Sequence, residues 1–442
     1  MAVTAAGHGY AVEEVLERAG TGRFQRRLLG IFGLVWAADA MQVIAVGFTA
    51  PSIAASFGLS LPQALQTGTA FFFGMLIGAY VFGRLADKYG RRRILLFTVA
   101  IDAVFSLASV FAPDFAVLLV LRFVVGLAVG GTLPVDYAMM AEFLPARSRG
   151  RWLVMLEGFW AVGTVAVAIV AWAAHAYGVV EAWRVIFLAT AIPAILGIGL
   201  RLWIPESPRY LLSNGRAQEA QAVFDKVLEV NRRPRLDRPV LPDPQPAGHV
   251  GIFAAPYMRR TACILAIWLL VSTAYYGVFT WLPGRLAGEG LGFLRGYGFL
   301  IVVALAQIPG YALAAYGVER WGRRETLIGF LLLSCIGCFV FAISLEPAIV
   351  TGAILLMSFS LLGTWGALYA WTPELYPTSI RATGMGTAGA MARLGGLLAP
   401  TAIAPLVAIG FPIAVGFFAA LLFIALLAAA AVDLETRQQP IG

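Results

Sequence analysis

Four charged side chains lie inside long apolar runs of this 442-residue chain, namely Asp39, Arg122, Asp136 and Arg393. A charge removed from water is costly, so such residues usually face a cavity or a partner and are candidates for function. A carboxylate in this environment can alternate between protonated and charged forms, which is the chemistry that proton coupling requires. A guanidinium stays charged and offers a planar fork that matches a carboxylate. The residue types therefore indicate proton exchange and anion binding.

Each of these residues also has a structural alternative. Asp39 is either a proton carrier or an aspartate paired with Arg122, and Asp136 is either a second titrating group or part of a lock between helices. Arg393 either binds a substrate anion or needs a permanent internal acid to offset its burial. Arg122 either influences a neighbouring acid or joins two helices. Two weaker candidates, for which a structural role is expected, are Asp102 and Glu157.

A second set of charged residues recurs at a fixed spacing. The segment 83–93 is a charged loop between two apolar runs, and a shorter copy follows at 317–324, which places Glu319 at 232 positions after Asp87. A Glu-Pro-Arg set beginning at Glu142 recurs at the same offset. Two matches at one offset indicate two equivalent halves that run in the same direction. The recurring residues are Asp87, Arg91, Glu142 and Arg149 in the first half and Glu319, Arg323, Glu374 and Arg381 in the second.

We interpret these recurring residues as a cytoplasmic gate, with ion pairs between helix ends within each half. Exposed pairs contribute little singly, but several that share one site can bias a two-state equilibrium. Asp87 can also face a helix N-terminus of the other half. An alternative is that the basic residues only orient the protein during insertion, but this explains the excess of arginine and not the matched acids.

Apolar runs separated by charged, proline or glycine breaks predict the elements that carry these residues. They indicate an all-α membrane protein of twelve transmembrane helices. Six helices per half keep both halves in one orientation, with the substrate path between them. The predicted spans are 28–50, 64–83, 94–111, 115–141, 152–174, 183–204, 259–282, 297–317, 326–345, 348–371, 383–407 and 411–433.

The remaining segments divide the chain around these two halves. Between the halves, 216–231 is typical of a short amphipathic helix, and the prolines in 234–246 predict a flexible linker. The predicted divisions are a cytoplasmic N-terminal segment (1–27), the first half (28–204), a cytoplasmic linker (205–258), the second half (259–433) and a cytoplasmic tail (434–442).

Composition and charge distribution also place the chain in a membrane. Hydrophobic residues make up 60% of the chain and charged residues 13%, with a mean hydropathy of +0.82, which excludes an ordinary soluble protein. The net charge of +8 does not indicate a nucleic-acid partner, because the basic residues cluster in alternate connections. That pattern is typical of the positive-inside rule, so both termini are expected in the cytoplasm. We expect no cleaved targeting peptide, and no redox or metal site at the three cysteines.

These motifs resemble those of the major facilitator superfamily. The 83–93 segment is similar to that superfamily's loop between its second and third helices, and the run from Arg122 to Gly131 resembles its fourth-helix pattern R-x-x-x-G-x-x-x-G-G. The segment 205–209, Pro-Glu-Ser-Pro-Arg, resembles the signature after helix six of sugar porters. The resemblance covers 24–433 and implies alternating access. Small residues that permit close, sliding helix contacts are Gly126, Gly130, Gly131, Gly384, Gly386 and Gly389.

Two segments resemble a branch of that superfamily other than the sugar porters. Sugar porters share a paired-glutamine pattern on helix seven, which this chain lacks in the run 272–283. The runs 272–283 and 392–396 are similar to metabolite:proton symporters, nicotinate-type carriers and synaptic-vesicle-protein-like transporters. The resemblance implies a proton-coupled carrier of a small organic anion in a prokaryotic plasma membrane. Those relatives often place a second acid where this chain has Gln42. The residues expected beside Arg393 at the substrate are Tyr275, Tyr276, Gln42 and Trp365.

Other functions stay open at this point. The substrate can instead be an organic cation or a sugar-like solute, with Asp39 as counter-ion, or the chain can be a receptor of the same fold that does not transport. The repeated gate residues disfavour a static receptor. An enzyme is least expected, because the chain has no G-x-x-x-x-G-K-[ST] loop and no metal-ligand cluster. We expect a monomer with no cofactor, whose partners are a small molecule, protons and lipid.

Overall fold

The computed structural model describes residues 9–242, 251–288, 297–344 and 346–439, and these are predominantly helical. The helices before the linker are α1 (Val12–Ala19), α2 (Arg23–Phe57), α3 (Leu61–Ala64), α4 (Gln66–Tyr89), α5 (Arg91–Val110), α6 (Phe115–Glu142), α7 (Arg149–Glu157), α8 (Phe159–Ala176) and α9 (Ala182–Arg201). The later helices are α10 (Pro208–Ser213), α11 (Ala217–Val230), α12 (Met258–Gly288), α13 (Tyr297–Leu305), α14 (Gln307–Arg320), α15 (Arg323–Ile343), α16 (Pro347–Trp371), α17 (Arg381–Ile409) and α18 (Phe411–Ala430).

Eleven helical segments of the described residues are long and apolar enough to cross a membrane. One of them is continuous from α7 into α8, and α17 is a further helix of 29 residues. We refer to α2–α9 as the N-terminal bundle and to α12–α18 as the C-terminal bundle. The end of the molecule that carries Asp87, Glu142 and their repeats is called the charged face.

The two charged segments predicted as loops are almost entirely helical, which corrects that prediction. Helix α4 continues to Tyr89, and α5 starts after the single residue Gly90, whose φ is +102°. In the repeat, α15 starts directly after Gly322, whose φ is +116°. Glycine adopts this left-handed backbone without the steric penalty of a side chain. The chain therefore reverses direction sharply, and the charged side chains project from helix ends.

An acidic side chain from elsewhere in the chain caps each of these reversals. Glu206, after α9, accepts hydrogen bonds from the backbone N–H groups of Arg91 and Arg92 at the start of α5. Glu435 does the same for the first two N–H groups of α15. A carboxylate at a helix N-terminus satisfies free N–H donors and complements the helix dipole.

The N-terminal segment is held against the linker. Tyr10–Ala11 forms a parallel two-residue strand pair with Val240–Leu241, so this part of the predicted flexible linker is ordered. The Tyr10 hydroxyl donates to Asp237 at 2.5 Å and holds the pKa of that carboxyl below its ordinary value. Residues 243–246 of the predicted flexible stretch lie outside the described residues. The short linker helix that was expected at 216–231 corresponds to α11.

Candidate functional site

A cavity with an empty volume of about 330 Å³ lies between the two bundles. Helices α7 and α8 supply its wall on one side, and α12, α16 and α17 supply the other. The lining residues are Glu157, Trp160, Tyr275, Tyr276, Leu362, Trp365, Tyr369, Ala392 and Arg393.

Arg393 is the cation of this cavity. Its side chain is 4% exposed, and Nη1 donates to the carbonyl of Gly389 one turn earlier in α17, at 3.3 Å. The guanidinium forms no ion pair with a carboxylate of the described residues, and its Nε has no hydrogen-bond partner among them. A permanent structural ion pair, which was the alternative for this residue, is therefore absent from the described part of the chain. The fork is available to an anion.

Aromatic rings form most of the cavity wall. The rings of Tyr275 and Tyr276 are 5.1 Å apart, Tyr275 meets Trp365 edge to face at 6.3 Å, and Trp365 lies 5.9 Å from Tyr369. The structure thus brings three of the predicted substrate residues, Tyr275, Tyr276 and Trp365, together beside Arg393. Edge-to-face and tilted ring pairs of this kind hold a rigid apolar surface in place.

Gln42, the fourth predicted substrate residue, does not line the cavity. Its side-chain oxygen accepts a hydrogen bond from Arg122 at 2.7 Å, and its amide donates to Ser106 at 2.5 Å. Ser106 in turn donates to Asp102 at 2.8 Å. Gln42 therefore belongs to a buried hydrogen-bond chain inside the N-terminal bundle, which links Arg122 to Asp102 rather than to Asp39.

Asp39 lies in the same bundle without a direct partner. Neither carboxylate oxygen has a hydrogen-bond partner among the described residues, and the side chain is fully buried. The charged groups whose fields reach it are Asp102, Asp136, Arg201 and Arg393. The alternative of a structural pair with Arg122 is not formed. Asp39 is thus the carboxylate of this bundle with the least local compensation.

Asp136 is paired with an arginine that the sequence analysis did not single out. Arg201, at the end of α9, donates to Asp136 at 2.5 Å, and both side chains are buried. The signal was present in the sequence, because Arg201 is a charged residue within the predicted span 183–204, but it was not chosen as a candidate. Together with Asp39, Asp102 and Arg122, this pair forms a group of three buried carboxylates and two guanidinium groups, separate from Glu157 at the cavity and from the buried charges of the charged face.

Glu157, a weaker candidate in the sequence analysis, lines the cavity. It ends α7, one residue before α8 starts, and its side chain accepts hydrogen bonds from the hydroxyls of Tyr137 at 2.6 Å and Tyr311 at 3.3 Å. Tyr137 belongs to the N-terminal bundle and Tyr311 to the C-terminal bundle. One carboxylate in the cavity wall therefore joins the two bundles.

An aromatic layer separates the cavity from the charged face. Tyr137 and Tyr369, from opposite bundles, have ring centroids 4.5 Å apart, and Trp36 and Trp268 contact Tyr369 at 5.3 and 4.6 Å. All four rings are buried. Tyr137 and Tyr369 each lie five positions before a glutamate of the charged face, Glu142 and Glu374 respectively.

The eight residues predicted as a gate form two buried clusters at the charged face, which we call the charge network. Arg91 donates to Asp87 at 3.0 Å and lies 3.3 Å from Glu142, within one bundle. The repeat has the same arrangement, because Arg323 lies 3.0 Å from Glu374 and 3.7 Å from Glu319. Exposed pairs were expected, but the arginines and both central glutamates are almost completely buried.

The pairing of the other two arginines corrects the prediction that each half pairs internally. Arg381 of the C-terminal bundle donates to Glu142 of the N-terminal bundle at 2.8 Å. Arg149 reaches across in the opposite direction to Glu374, at 3.8 Å. The two arginines are exchanged between bundles because each sits at the start of a helix, α7 or α17, that packs against the partner bundle. The charge network therefore joins the bundles.

Helix N-termini complete the network. Asp87 accepts hydrogen bonds from the backbone N–H and the hydroxyl of Thr383, both at 2.7 Å, at the start of α17 in the other bundle. Glu319 accepts from the backbone N–H of Arg151 at the start of α7, at 2.8 Å. Each acid thus lies at a helix end of the opposite bundle, where the helix dipole favours negative charge.

The terminal segments add further contacts. Glu13 of α1 lies 3.2 Å from Arg149 and 2.8 Å from Arg209. On the other side, the Thr436 hydroxyl donates to Glu374 at 2.5 Å. Both ends of the described chain therefore contact the charge network.

Comparison with known proteins identifies the family that has this arrangement. A family model described as the Major Facilitator Superfamily matches residues 30–400. The chain belongs to the major facilitator superfamily. It is an integral membrane transporter, and the mean hydropathy and eleven candidate spans agree with that assignment.

Individual members of the superfamily are similar over most of the chain. It is 35% identical over 396 residues to the niacin transporter NiaP of Acinetobacter baylyi, covering 88% of each chain. It is 29% identical to the organic cation/carnitine transporter 7 of Arabidopsis thaliana, covering 91% of this chain and 88% of the relative. The proton:xylose symporter XylE has the same fold, with a TM-score of 0.78 at 18% identity over 95% of this chain and 98% of that structure.

Proposed function

We propose that this major facilitator transporter carries a small organic anion and couples its movement to protons. The observation that carries the proposal is Arg393, a buried guanidinium in an aromatic cavity between the bundles that forms no ion pair with an acid of the described residues. Burial of such a charge is costly unless an anion compensates it. A carboxylate on a small ring would supply two charge-assisted hydrogen bonds, and the aromatic walls would contact the ring.

The similarity to the niacin transporter of Acinetobacter baylyi supports the same class of substrate. Niacin is an aromatic carboxylate, and the cavity offers a guanidinium, Arg393, beside aromatic rings. Sugar binding is less well supported, because the likeness to the xylose symporter has 18% identity and concerns the fold alone.

Asp39 is our candidate for the proton carrier. Apart from Glu157 at the cavity and the residues of the charge network, the buried charges of the N-terminal bundle are three carboxylates and two guanidinium groups, so one carboxylate lacks a balancing positive charge. Asp136 is paired with Arg201, and Asp102 is connected to Arg122 through Ser106 and Gln42. The uncompensated acid is Asp39, and a buried carboxylate without partners is most readily accommodated as the neutral, protonated form.

Electrostatics link this proton to the substrate. Arg393 is among the charged groups whose fields reach Asp39. When an anion neutralises Arg393, the positive field at Asp39 weakens, and retaining a proton on Asp39 becomes easier. Binding of the anion and of the proton therefore favour each other, which is the thermodynamic requirement for symport.

Movement follows from the charge network. Its ion pairs across the bundles stabilise the conformation that is closed at the charged face, and the opposite conformation must break them. We propose that the charged face is cytoplasmic, because its arginines follow the positive-inside pattern. In this orientation both termini lie inside the cell. We further propose that the protein is a monomer in a prokaryotic plasma membrane.

The test uses the purified full-length protein in liposomes with an inward proton gradient. We expect concentrative uptake of radiolabelled nicotinate, abolished by a protonophore. Arg393→Gln should weaken nicotinate binding by about tenfold or more, because a charged fork is replaced by one neutral amide. The matched control is Arg259→Gln, since Arg259 forms an exposed pair with Asp433. Undiminished binding in Arg393→Gln, or uptake indifferent to the gradient, would contradict the proposal.

A further inference from the structure

The cavity contains an acid as well as a cation. Glu157 is 3% exposed, and it accepts hydrogen bonds from the two tyrosine hydroxyls, which are both uncharged donors. No Lys or Arg of the described residues forms an ion pair with it. Glu157 and Arg393 line the same cavity, and the field of Arg393 reaches Glu157, yet the two do not form an ion pair.

Two opposite charges on the two walls of one cavity impose a demand on the ligand. A simple anion satisfies Arg393 and leaves the Glu157 carboxylate beside a second negative charge, which is unfavourable in a site of low dielectric constant. A simple cation has the converse defect at Arg393. A ligand that carries both charges on one small frame compensates both residues at once.

The aromatic residues that line the cavity with these two charges favour the same ligand. Trp160, Tyr275, Tyr276, Trp365 and Tyr369 line the cavity together with Glu157 and Arg393. The faces of tryptophan and tyrosine attract a cation, and such rings recognise quaternary nitrogens that cannot donate hydrogen bonds. A positive nitrogen next to Glu157 would therefore have both a carboxylate and ring faces around it.

The geometry points to a zwitterionic substrate, with its carboxylate on Arg393 and a positively charged nitrogen, of the pyridinium or quaternary ammonium type, near Glu157. This inference rests on the proposed function, because it keeps Arg393 as the anion site. It adds Glu157 as the residue that selects zwitterions over simple carboxylates. The two tyrosine hydroxyls are positioning groups, which fix the carboxylate at the junction of the bundles.

The test compares three probes of similar size on the purified full-length protein by isothermal titration calorimetry. N-Methylnicotinate carries both charges, benzoate only the negative one and N-methylpyridinium only the positive one. We expect N-methylnicotinate to bind about tenfold or more tightly than benzoate, from the added cation–π and charge contacts. This comparison in the unmodified protein does not depend on the folding of any variant.

Glu157→Gln then assigns the selectivity to one residue. The amide keeps the shape but removes the charge, so N-methylnicotinate should lose most of its advantage over benzoate. Benzoate itself should bind more tightly than in the unmodified protein, because the repulsion from the Glu157 carboxylate is removed. Glu181→Gln is the control, since Glu181 is exposed and forms an ion pair with Arg184, three positions later in the chain.

Each outcome separates the inference from the proposed function. Equal affinity for benzoate and N-methylnicotinate in the unmodified protein would overturn the inference and leave the anion site at Arg393 intact. A preference for N-methylnicotinate that persists in Glu157→Gln would overturn the role of Glu157. Failure of both acids to bind would overturn the inference and the proposed function together.

Discussion

Arg381 donates a hydrogen bond to Glu142 at 2.8 Å across the boundary between the two bundles, and both side chains are completely buried. Glu142 also accepts from Arg91 of its own bundle. When the bundles rock, the contact of Glu142 with Arg91 persists, whereas its contact with Arg381 must break. Residues of this kind set the balance between the two conformations of a transporter.

Glu142→Gln should destabilise the conformation that is closed at the charged face. Removing one partner of a buried ion network typically costs about 3–5 kcal/mol, because the remaining charges lose their compensation. We expect spin labels on Lys88→Cys and Arg320→Cys, in a background without native cysteines, to show longer distances by electron paramagnetic resonance. Glu325→Gln, which alters an exposed pair with Arg324, is the control and should leave the distances unchanged. Identical distances in both variants would remove Glu142 from the gate.

A single substitution at Glu13 tests whether the N-terminal segment contributes to closure of the charged face. Glu13→Gln should weaken the contacts to Arg149 and Arg209 and increase opening at the charged face, measured with the same spin labels. The adjacent Glu14→Gln is a matched control, because Glu14 is exposed and forms an ion pair with Arg18 of the same helix. Such exposed pairs contribute about 0–1 kcal/mol. A shift of equal size in both variants would show that the contacts of Glu13 have no specific role.

Asp39→Asn should uncouple transport from the proton gradient. The amide cannot take up a proton, so we expect concentrative uptake to fall to roughly the equilibrium level, while exchange of substrate across the membrane continues. Asp114→Asn, at the exposed N-terminal cap of α6, is the control. Proton-driven accumulation that survives in Asp39→Asn would exclude this residue as the coupling group, even if the transport rate fell.

Gly126→Ala tests the close packing of α4 and α6. A Cβ atom at this position would meet the backbone carbonyl of Phe71, so we expect a loss of about 1–3 kcal/mol and a lower melting temperature. Gly199→Ala is the control, since a Cβ there meets nothing within 4 Å. Alanine at that helical position should be neutral or stabilise by roughly 0.5–1 kcal/mol. Equal melting temperatures for the two variants would contradict the packing argument.

The repeat made the fold and the charge network accessible from the sequence. The offset of 232 positions identified both copies of every network residue, because internal duplication preserves residue types at equivalent positions. It did not identify the partners. Arg149 has equivalent acids in both bundles, and the sequence alone does not distinguish Glu142 from Glu374. Only the packing of α7 against the other bundle decides that choice.

The cavity was less accessible because its residues converge from several helices. Arg393 and the tyrosines of α12 stood out as polar groups in apolar runs. Glu157 stood out equally, but its importance depends on facing Arg393 and on the hydroxyl of Tyr311, 154 positions later. Likewise, Gln42 occupies the same helix as Asp39, but its side chain bonds Arg122 instead of facing the cavity. Whether a side chain reaches the cavity depends on the rotation of its helix and on its depth in the membrane, and composition does not encode either.

Asn231, at the end of α11, accepts a hydrogen bond from the backbone N–H of Phe24 and donates to the carbonyl of Ala19. These bonds attach the last turn of the linker helix to the start of α2, so the preceding part of the linker belongs mechanically to the N-terminal bundle. The described linker residues up to 242 therefore form one unit with the N-terminal bundle. Fragments 1–242 and 251–442, produced as separate chains, retain all residues of the charge network and are expected to assemble into a working two-part protein.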